Sequence, residues 1–127
     1  MNNFEKKIYN LVRNELKDEL LKDKYKQGPI KHKFFGHCHN ASLAMYILLG
    51  GKEKGYKLRK AIDEKGITHY WLENKKGRII DPTKEQYTDL NRPLPYKNKI
   101  NRGISYIKSN AVKKIVDNVK KVLNEKQ

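Results

Sequence analysis

The only cysteine of the chain, Cys38, stands where a nucleophile would be expected. It begins an apolar run that extends to Leu49 and is followed by two glycines, a pattern typical of a buried helix that ends at a glycine. The free N–H groups and the dipole of a helix N-terminus stabilise a thiolate, which is the reactive form of cysteine. The sequence therefore predicts a helix over 38–49 with an activated thiol at its start.

Two strands joined by a tight turn are predicted further along the chain. The stretches 67–73 and 78–81 are rich in β-branched and aromatic residues, and the four residues between them have the composition of a hairpin turn. Gly77 favours a three-residue loop that it closes in the left-handed conformation. Such a loop pairs Asn74 with Arg78 and so fixes the register of the two strands.

That register brings a histidine and an aspartate together. Counting outward from the turn, Trp71 faces Asp81, and His69 lies diagonally from Asp81 on the same face of the sheet. A carboxylate in this place orients an imidazole and stabilises its cation. If helix 38–49 packs on that same face, Cys38 meets His69, and we expect a Cys–His–Asp triad.

The residues around these three positions resemble one family. Residues 36–44 (Gly-His-Cys-His-Asn-Ala-Ser-Leu-Ala) look like the Gly-x-Cys-x-x-x-(Ala/Ser) helix start of the transglutaminase-like branch of papain-fold cysteine enzymes. Residues 69–83 resemble that superfamily's hairpin, His-x-Trp-(aliphatic)-Glu, then Gly, then Asp-Pro-Thr. The resemblance covers about residues 36–83 and keeps the order Cys, His, Asp. The whole chain is also similar to small proteins encoded by bacteriophages, which implies no activity.

The resemblance implies a fold and a role for each of the three residues. The fold is α+β, papain-like or transglutaminase-like, with a central helix that bears the cysteine packed on a small antiparallel sheet. Cys38 attacks an amide or thioester carbonyl, His69 takes and returns the proton, and Asp81 orients His69. Trp71 is expected to shield the histidine and the aspartate from water.

An oxyanion hole is implied as well. The family usually builds it from the N–H of the cysteine and a polar side chain upstream, for which Gln27, His32 and His37 are the candidates. His39 is expected to line the site. With 127 residues and no visible calcium loop, the chain is not expected to crosslink proteins as the much longer transglutaminases do.

The rest of the sequence predicts one domain spanning residues 1–127. Apolar residues at spacings of three and four from Phe4 to Leu20 indicate an amphipathic first helix. Besides the hairpin and the central helix, the predicted elements are a helix over 4–21, a loop over 25–36, a strand after Gly55, an ordered or partly ordered connection without a clear period over 82–103, and a last helix capped by Ser109 or Asn110.

Composition limits the partners. The chain has 29 basic and 14 acidic side chains and a net charge of +15, which attracts a nucleotide, a nucleic acid or an acidic protein. Only five basic residues are arginines, so sequence-specific reading of DNA bases is not expected. A lone cysteine cannot form an internal disulfide, and no apolar run has the length of a membrane span or a signal peptide. We therefore expect a cytoplasmic protein that does not enter membranes.

These observations favour a thiol-dependent hydrolase or acyltransferase of the amidase, peptidase or deamidase type that needs no cofactor. Its substrate would be a peptide, a glutamine side chain, or a small amide or thioester. The alternative is a basic binding protein without turnover, a phage factor that holds a nucleotide, a nucleic acid or an acidic host protein.

Three local alternatives carry less weight. The residues His32, His37, Cys38 and His39 lack the paired spacing of a zinc site, so no metal is expected. Glu73 is an alternative second carboxylate, but a solvated or lysine-paired role is expected for it at the rim of the hairpin. The segment 50–52 lacks the further glycine and the hydroxyl residue of a phosphate loop.

Overall fold

The computed structural model describes residues 1–21, 26 and 28–125 and has an α+β architecture. Its centre is a four-stranded antiparallel sheet with the strand order β3-β2-β1-β4. The strands are β1 (Lys57–Ile62), β2 (Thr68–Glu73), β3 (Ile79–Ile80) and β4 (Lys99–Ile100). The helices are α1 (Asn3–Asn14), α2 (Cys38–Leu48), α3 (Glu85–Thr88) and α4 (Asn110–Glu125), and short 3-10 turns lie at Asp18–Leu20, Gly51–Lys54 and Tyr96–Asn98.

Helix α2 is the buried centre of the fold, and the predicted helix at this place is confirmed. Five consecutive residues of it, 41–45, are buried, as expected for a helix that is apolar on nearly every side. Gly50, with a φ of 100°, follows its last turn in the left-handed conformation that glycine adopts without strain. The resulting rigid core fixes the start of α2, where Cys38 lies.

Helices α1 and α4 flank α2 and complete the main core. Ile8 and Val12 of α1 and Ile115 and Val119 of α4 are buried against the same cluster as α2. The prediction of a first helix over 4–21 is wrong in length, because α1 ends at Asn14. In the described part of the chain, no helix is apolar and long enough to cross a lipid bilayer.

Two details of the flanking helices differ from or refine the sequence pattern. Phe4 matches the periodicity of a buried stripe but lies half exposed at the start of α1. Of the two predicted caps of α4, Ser109 is the one used, since its Oγ accepts a hydrogen bond of 3.2 Å from the N–H of Val112.

The hairpin of β2 and β3 has the predicted turn. The N–H of Asn74 donates to the carbonyl of Arg78 at 3.0 Å, and Gly77 has a φ of 77°. The side-chain oxygen of Asn74 also accepts from the N–H groups of Lys76 and Arg78, both at 3.0 Å, so the asparagine fixes the loop from inside. The predicted register is confirmed, with Leu72 opposite Ile80.

Residues 82–103 form an ordered connection with short elements of its own. This segment contains α3, a 3-10 turn and β4, and β4 pairs with β1 at the far edge of the sheet. Tyr87 and Gln86 of α3 are buried. The segment carries these side chains and Tyr96 against His69, Trp71 and Asp81.

Candidate functional site

Cys38 is the first residue of α2 and is half-buried. The preceding Gly36 has a φ of 84°, a left-handed turn that directs the chain into the helix. The sulfur of Cys38 lies 3.8 Å from the carbonyl oxygen of Thr68, at the beginning of β2. The first N–H groups of α2 have no partner within the helix, so they present positive partial charge beside the sulfur.

His69 and Asp81 form a buried pair. The ring Nε2 of His69 lies 2.7 Å from Oδ2 of Asp81, and both side chains are almost completely shielded from solvent. The two residues come together because the hairpin register places Asp81 diagonally across from His69, as the sequence predicts. Nε2 therefore carries the proton that is shared with Asp81, and Nδ1 is left for another partner.

The carboxylate of Asp81 is itself held by several donors. The hydroxyl of Tyr96 donates to Oδ2 at 2.7 Å, and the N–H of Thr83 donates to Oδ1 at 3.1 Å. From α1, the hydroxyl of Tyr9 donates to the backbone carbonyl of Asp81 at 3.3 Å. The first two bonds fix the direction in which the carboxylate meets the imidazole, and the bond from Tyr9 holds the backbone at Asp81.

The electrostatics of the pair favour an imidazolium. Burial alone opposes the charged ring, but the charge and hydrogen bond of Asp81, and after them those of the Cys38 thiol, raise the pKa of His69 to about 10. Because Asp81 occupies Nε2, Nδ1 is the ring nitrogen that remains for the thiol and for other partners. Sulfur, imidazole and carboxylate are thus brought together in the order that the sequence predicts.

The way in which Cys38 reaches His69 differs from the prediction. Helix α2 packs mainly against the face of the sheet that carries Leu58, Leu72 and Ile80, whereas strand alternation places His69 on the opposite face. The thiol still meets the ring because α2 begins beside the part of β2 that β3 leaves uncovered.

Aromatic rings enclose the imidazole. Trp71 is fully buried and stacks on the ring of His69 with centroids 5.9 Å apart, while Tyr87 meets that ring edge-on at 4.7 Å. Tyr96 packs against Trp71 at 5.0 Å. His69 has no solvent-exposed surface, so the geometry agrees with a shielding role for Trp71 and adds the two tyrosines to it.

Arg92 links Tyr87, one of the rings around His69, to the two acidic residues that follow β1. Its guanidinium pairs with Asp63 at 2.8 Å and with Glu64 at 3.0 Å, and it lies over the ring of Tyr87 at 4.5 Å. The hydroxyl of Tyr87 donates to Asp63 at 2.8 Å. Burial, followed by the hydrogen bond and charge of Asp63, raises the pKa of Tyr87, so this hydroxyl stays protonated as a donor.

Gln86 is a site residue that the sequence did not indicate. Its buried Nε2 lies 3.5 Å from Nδ1 of His69 and 3.2 Å from Oγ1 of Thr83. The Thr83 hydroxyl in turn donates to Oδ1 of Asp81 at 3.5 Å, which orients the Gln86 amide with its N–H groups toward the ring. One feature of the sequence could have indicated Gln86. It lies three residues after the threonine of the Asp-Pro-Thr segment, and on a helical turn residues at this spacing are neighbours.

The four remaining candidates have different environments. His32 pairs with Asp89 at 2.8 Å, away from the thiol. His37 is fully buried, neither of its ring nitrogens has a hydrogen-bond partner within the described chain, and burial lowers its pKa. Gln27 lies outside the described residues. His39 lines the cavity next to Cys38, as predicted, and its Nε2 lies 2.8 Å from the carbonyl of Ser105.

A cavity of about 570 Å³ opens beside the thiol. Its walls are the first turn of α2, the start of β2, and the segment 105–111 that leads into α4. Cys38 lies on one wall, while His69 lies behind the sulfur and does not reach the cavity surface. A carbonyl compound in this cavity would therefore meet the sulfur first.

The prediction for Glu73 has an outcome. Glu73 is buried and pairs with Arg59 at 3.1 Å and with Lys99 at 3.2 Å, so the lysine-paired role is confirmed and the solvated role is wrong. Within residues 1–21, 26 and 28–125, no three His, Cys, Asp or Glu side chains are grouped so that they could hold a metal ion.

Comparison of the chain with protein-family models, with curated proteins and with solved structures gives no match.

Proposed function

We propose that this protein is a thiol-dependent hydrolase or acyltransferase with Cys38 as nucleophile, His69 as general base and acid, and Asp81 as the orienting carboxylate. The observation that carries the proposal is the buried contact of 2.7 Å between Nε2 of His69 and Asp81, which leaves Nδ1 for the thiol. A fully buried histidine–aspartate pair costs desolvation free energy, and a structural role does not need it next to a half-exposed thiol.

The fold in this proposal is papain-like, of the transglutaminase-like type. Three features support it: the cysteine at the first residue of the central helix, the histidine on the neighbouring strand, and the aspartate directly after the next strand. The supporting features occur in the chain order that the resemblance of residues 36–83 implies.

The reaction begins from the state in which the proton of the Cys38 thiol lies on Nδ1 of His69, the charged ring that Asp81 favours. The sulfur then attacks the carbonyl carbon, a C–S bond forms, and the electron pair of the C=O bond moves to oxygen. When the oxyanion collapses, the bond to the leaving nitrogen or sulfur breaks, and that atom takes the proton from Nδ1. The product of this half-reaction is a thioester on Cys38.

In the second half-reaction, water or an amine gives a proton to Nδ1 and attacks the thioester carbon. The C–S bond breaks, the acid or the new amide leaves, and the sulfur recovers the proton from His69. Water as the acceptor makes the enzyme a hydrolase, and an amine makes it an acyltransferase. The negative oxygen of the intermediate forms near the start of α2. The backbone N–H of Cys38, the residue that bears the attacking sulfur, is its candidate donor.

The proposal is tested by the rate at which iodoacetamide alkylates Cys38 near neutral pH. We expect fast labelling in the wild type and labelling slower by at least about 10-fold in His69→Ala, since a base at the nucleophile contributes about that much or more. His32→Ala is the matched control, because His32 also pairs with an aspartate but lies away from the thiol. Equal rates in the wild type and His69→Ala would refute a base role for His69.

Turnover is tested by mass spectrometry of a cell lysate incubated with the wild type or with Cys38→Ala. We expect deamidated, cleaved or acyl-transferred products that only the wild type forms. Identical product profiles together with slow labelling would favour the alternative, a basic protein of net charge +15 that binds an acidic partner without turnover.

A further inference from the structure

The cavity beside Cys38 has mainly apolar walls. Its volume of about 570 Å³ lies in the range of small-molecule sites. Six of its lining side chains are large and apolar: Leu20, Leu21, Phe35, Ile67, Tyr70 and Ile107. Among the lining residues in the part of the chain that the structure describes, none is an aspartate, glutamate, lysine or arginine.

Two of the polar groups in the wall already have partners. Nε2 of His39 donates to the carbonyl of Ser105 at 2.8 Å, and the hydroxyl of Ser109 donates to the side-chain oxygen of Asn40 at 3.3 Å. These bonds tie the segment 105–109 to the first turn of α2. These two pairs thus shape the cavity, whose remaining wall is more apolar than polar.

The rim of the cavity carries an unusually exposed aliphatic side chain. Ile107 is 79% exposed although it lines the cavity. A ligand that covers this side chain removes apolar surface from water on both partners, which favours binding of hydrocarbon over binding of a charged group. An aliphatic residue at the rim, an apolar interior and a half-buried sulfur on one wall lie in one continuous depression.

We infer that this cavity binds the acyl part of the substrate and selects a neutral, apolar acyl group, aliphatic or aromatic. This inference rests on the proposed function, since it takes Cys38 as the atom that is acylated. His69 lies behind the sulfur and is fully buried, so the acyl group occupies the side of Cys38 that faces the cavity. The net charge of +15 acts at long range, whereas the selection occurs at the cavity walls.

The test compares three alkylating probes that react alike, each forming one S–C bond and releasing iodide: iodoacetamide, N-benzyl iodoacetamide and iodoacetate. Rates for Cys38 are divided by those for 2-mercaptoethanol, which removes the intrinsic reactivity of each probe. We expect the benzyl probe to be favoured over iodoacetamide by about 10-fold, the gain from partial burial of a ring. Iodoacetate should not be favoured, despite the positive charge of the protein.

Ile107→Ser should reduce the preference for the benzyl probe over iodoacetamide by about 3-fold or more. The matched control is Ile79→Ser, since Ile79 is 43% exposed on β3 and does not line the cavity. Both changes are at exposed positions, so both variants are expected to fold.

Equal normalised rates for the three probes would overturn the inference, and so would a benzyl preference that Ile107→Ser leaves unchanged. If these rates are equal but depend on His69, the proposed function stands and only the acyl selectivity fails. If the benzyl preference is present and sensitive to Ile107→Ser but the rates do not depend on His69, the cavity binds apolar groups as inferred while the base role is refuted.

Discussion

Replacement of Asp81 by asparagine is the sharpest perturbation of this site. Asparagine has nearly the same shape, and its one side-chain oxygen can still accept from the N–H of Thr83, while its amide nitrogen takes the place of Oδ2 beside Tyr96. What the change removes is the negative charge 2.7 Å from Nε2 of His69. The fold should survive, and the protonation of the imidazole should change.

The size of the effect follows from the pKa of His69. Burial opposes the imidazolium, and chiefly Asp81 raises the pKa from 6.5 to about 10. At about 1.36 kcal/mol per pKa unit, the difference between these two pKa values corresponds to roughly 5 kcal/mol in favour of the charged ring. Without Asp81 only burial and the thiol remain, and the ring becomes neutral near pH 7. An ordinary thiol is only about 1% thiolate at about pH 6.5, so we expect alkylation of Cys38 to slow by about 10- to 100-fold there.

The assay is the pH dependence of iodoacetamide alkylation. In the wild type, His69 stays charged at mildly acidic and at neutral pH because its pKa is raised to about 10, so its effect on the alkylation rate should change little between them. In Asp81→Asn the rate should rise about 10-fold per pH unit toward alkaline pH, as it does for a free thiol. The control is Asp89→Asn, which removes the carboxylate of a similar histidine–aspartate pair, at 2.8 Å from His32, on the surface. If Asp81→Asn keeps both its circular dichroism and the wild-type profile, the ion-pair reasoning is refuted.

Three further predictions concern the surroundings of the imidazole. Gln86→Leu removes an N–H beside Nδ1 of His69 and should move the ¹⁵N NMR titration of that ring to higher pH; an unchanged titration would contradict the contact at 3.5 Å. Arg92→Ala leaves Asp63 buried without its cation and should lower the free energy of unfolding by about 2–4 kcal/mol in urea, whereas Arg78→Ala, at an exposed site, should change it by less than about 0.5 kcal/mol. The pKa of His69 is raised to about 10, so the charged ring should contribute fully to the free energy of unfolding below about pH 6.5 and lose up to about 5 kcal/mol of that contribution as pH rises toward 10. His69→Gln should flatten this part of the curve of unfolding free energy against pH.

The histidine–aspartate pair was predictable because it depends on short-range geometry. One glycine in the left-handed conformation, Gly77, sets the loop length, and the loop length sets which residues of β2 and β3 share a face. The central helix was predictable for a similar reason, since its apolar run and terminal glycine are local features.

Other parts of the site depend on contacts that periodicity does not encode. Residues 82–103 have no repeating pattern, because α3 and β4 are too short for one and are held by tertiary bonds such as those of Arg92. Hence Gln86 and Tyr96 were missed. The face on which α2 packs was predicted wrongly, because alternation tells which residues share a face but not which face the helix covers.

In the proposed reaction, the complete enclosure of His69 has a consequence for the proton that the ring receives from sulfur. With no exposed atom on the ring and aromatic groups around it, bulk water has no direct access to Nδ1. While an acyl group fills the space in front of the sulfur, the abstracted hydrogen stays on the ring until the departing amine or thiol collects it. The hydrogen of the sulfur would then leave with the departing group, and the hydrogen that returns to the sulfur in the second half-reaction would come from the water or amine that attacks the thioester.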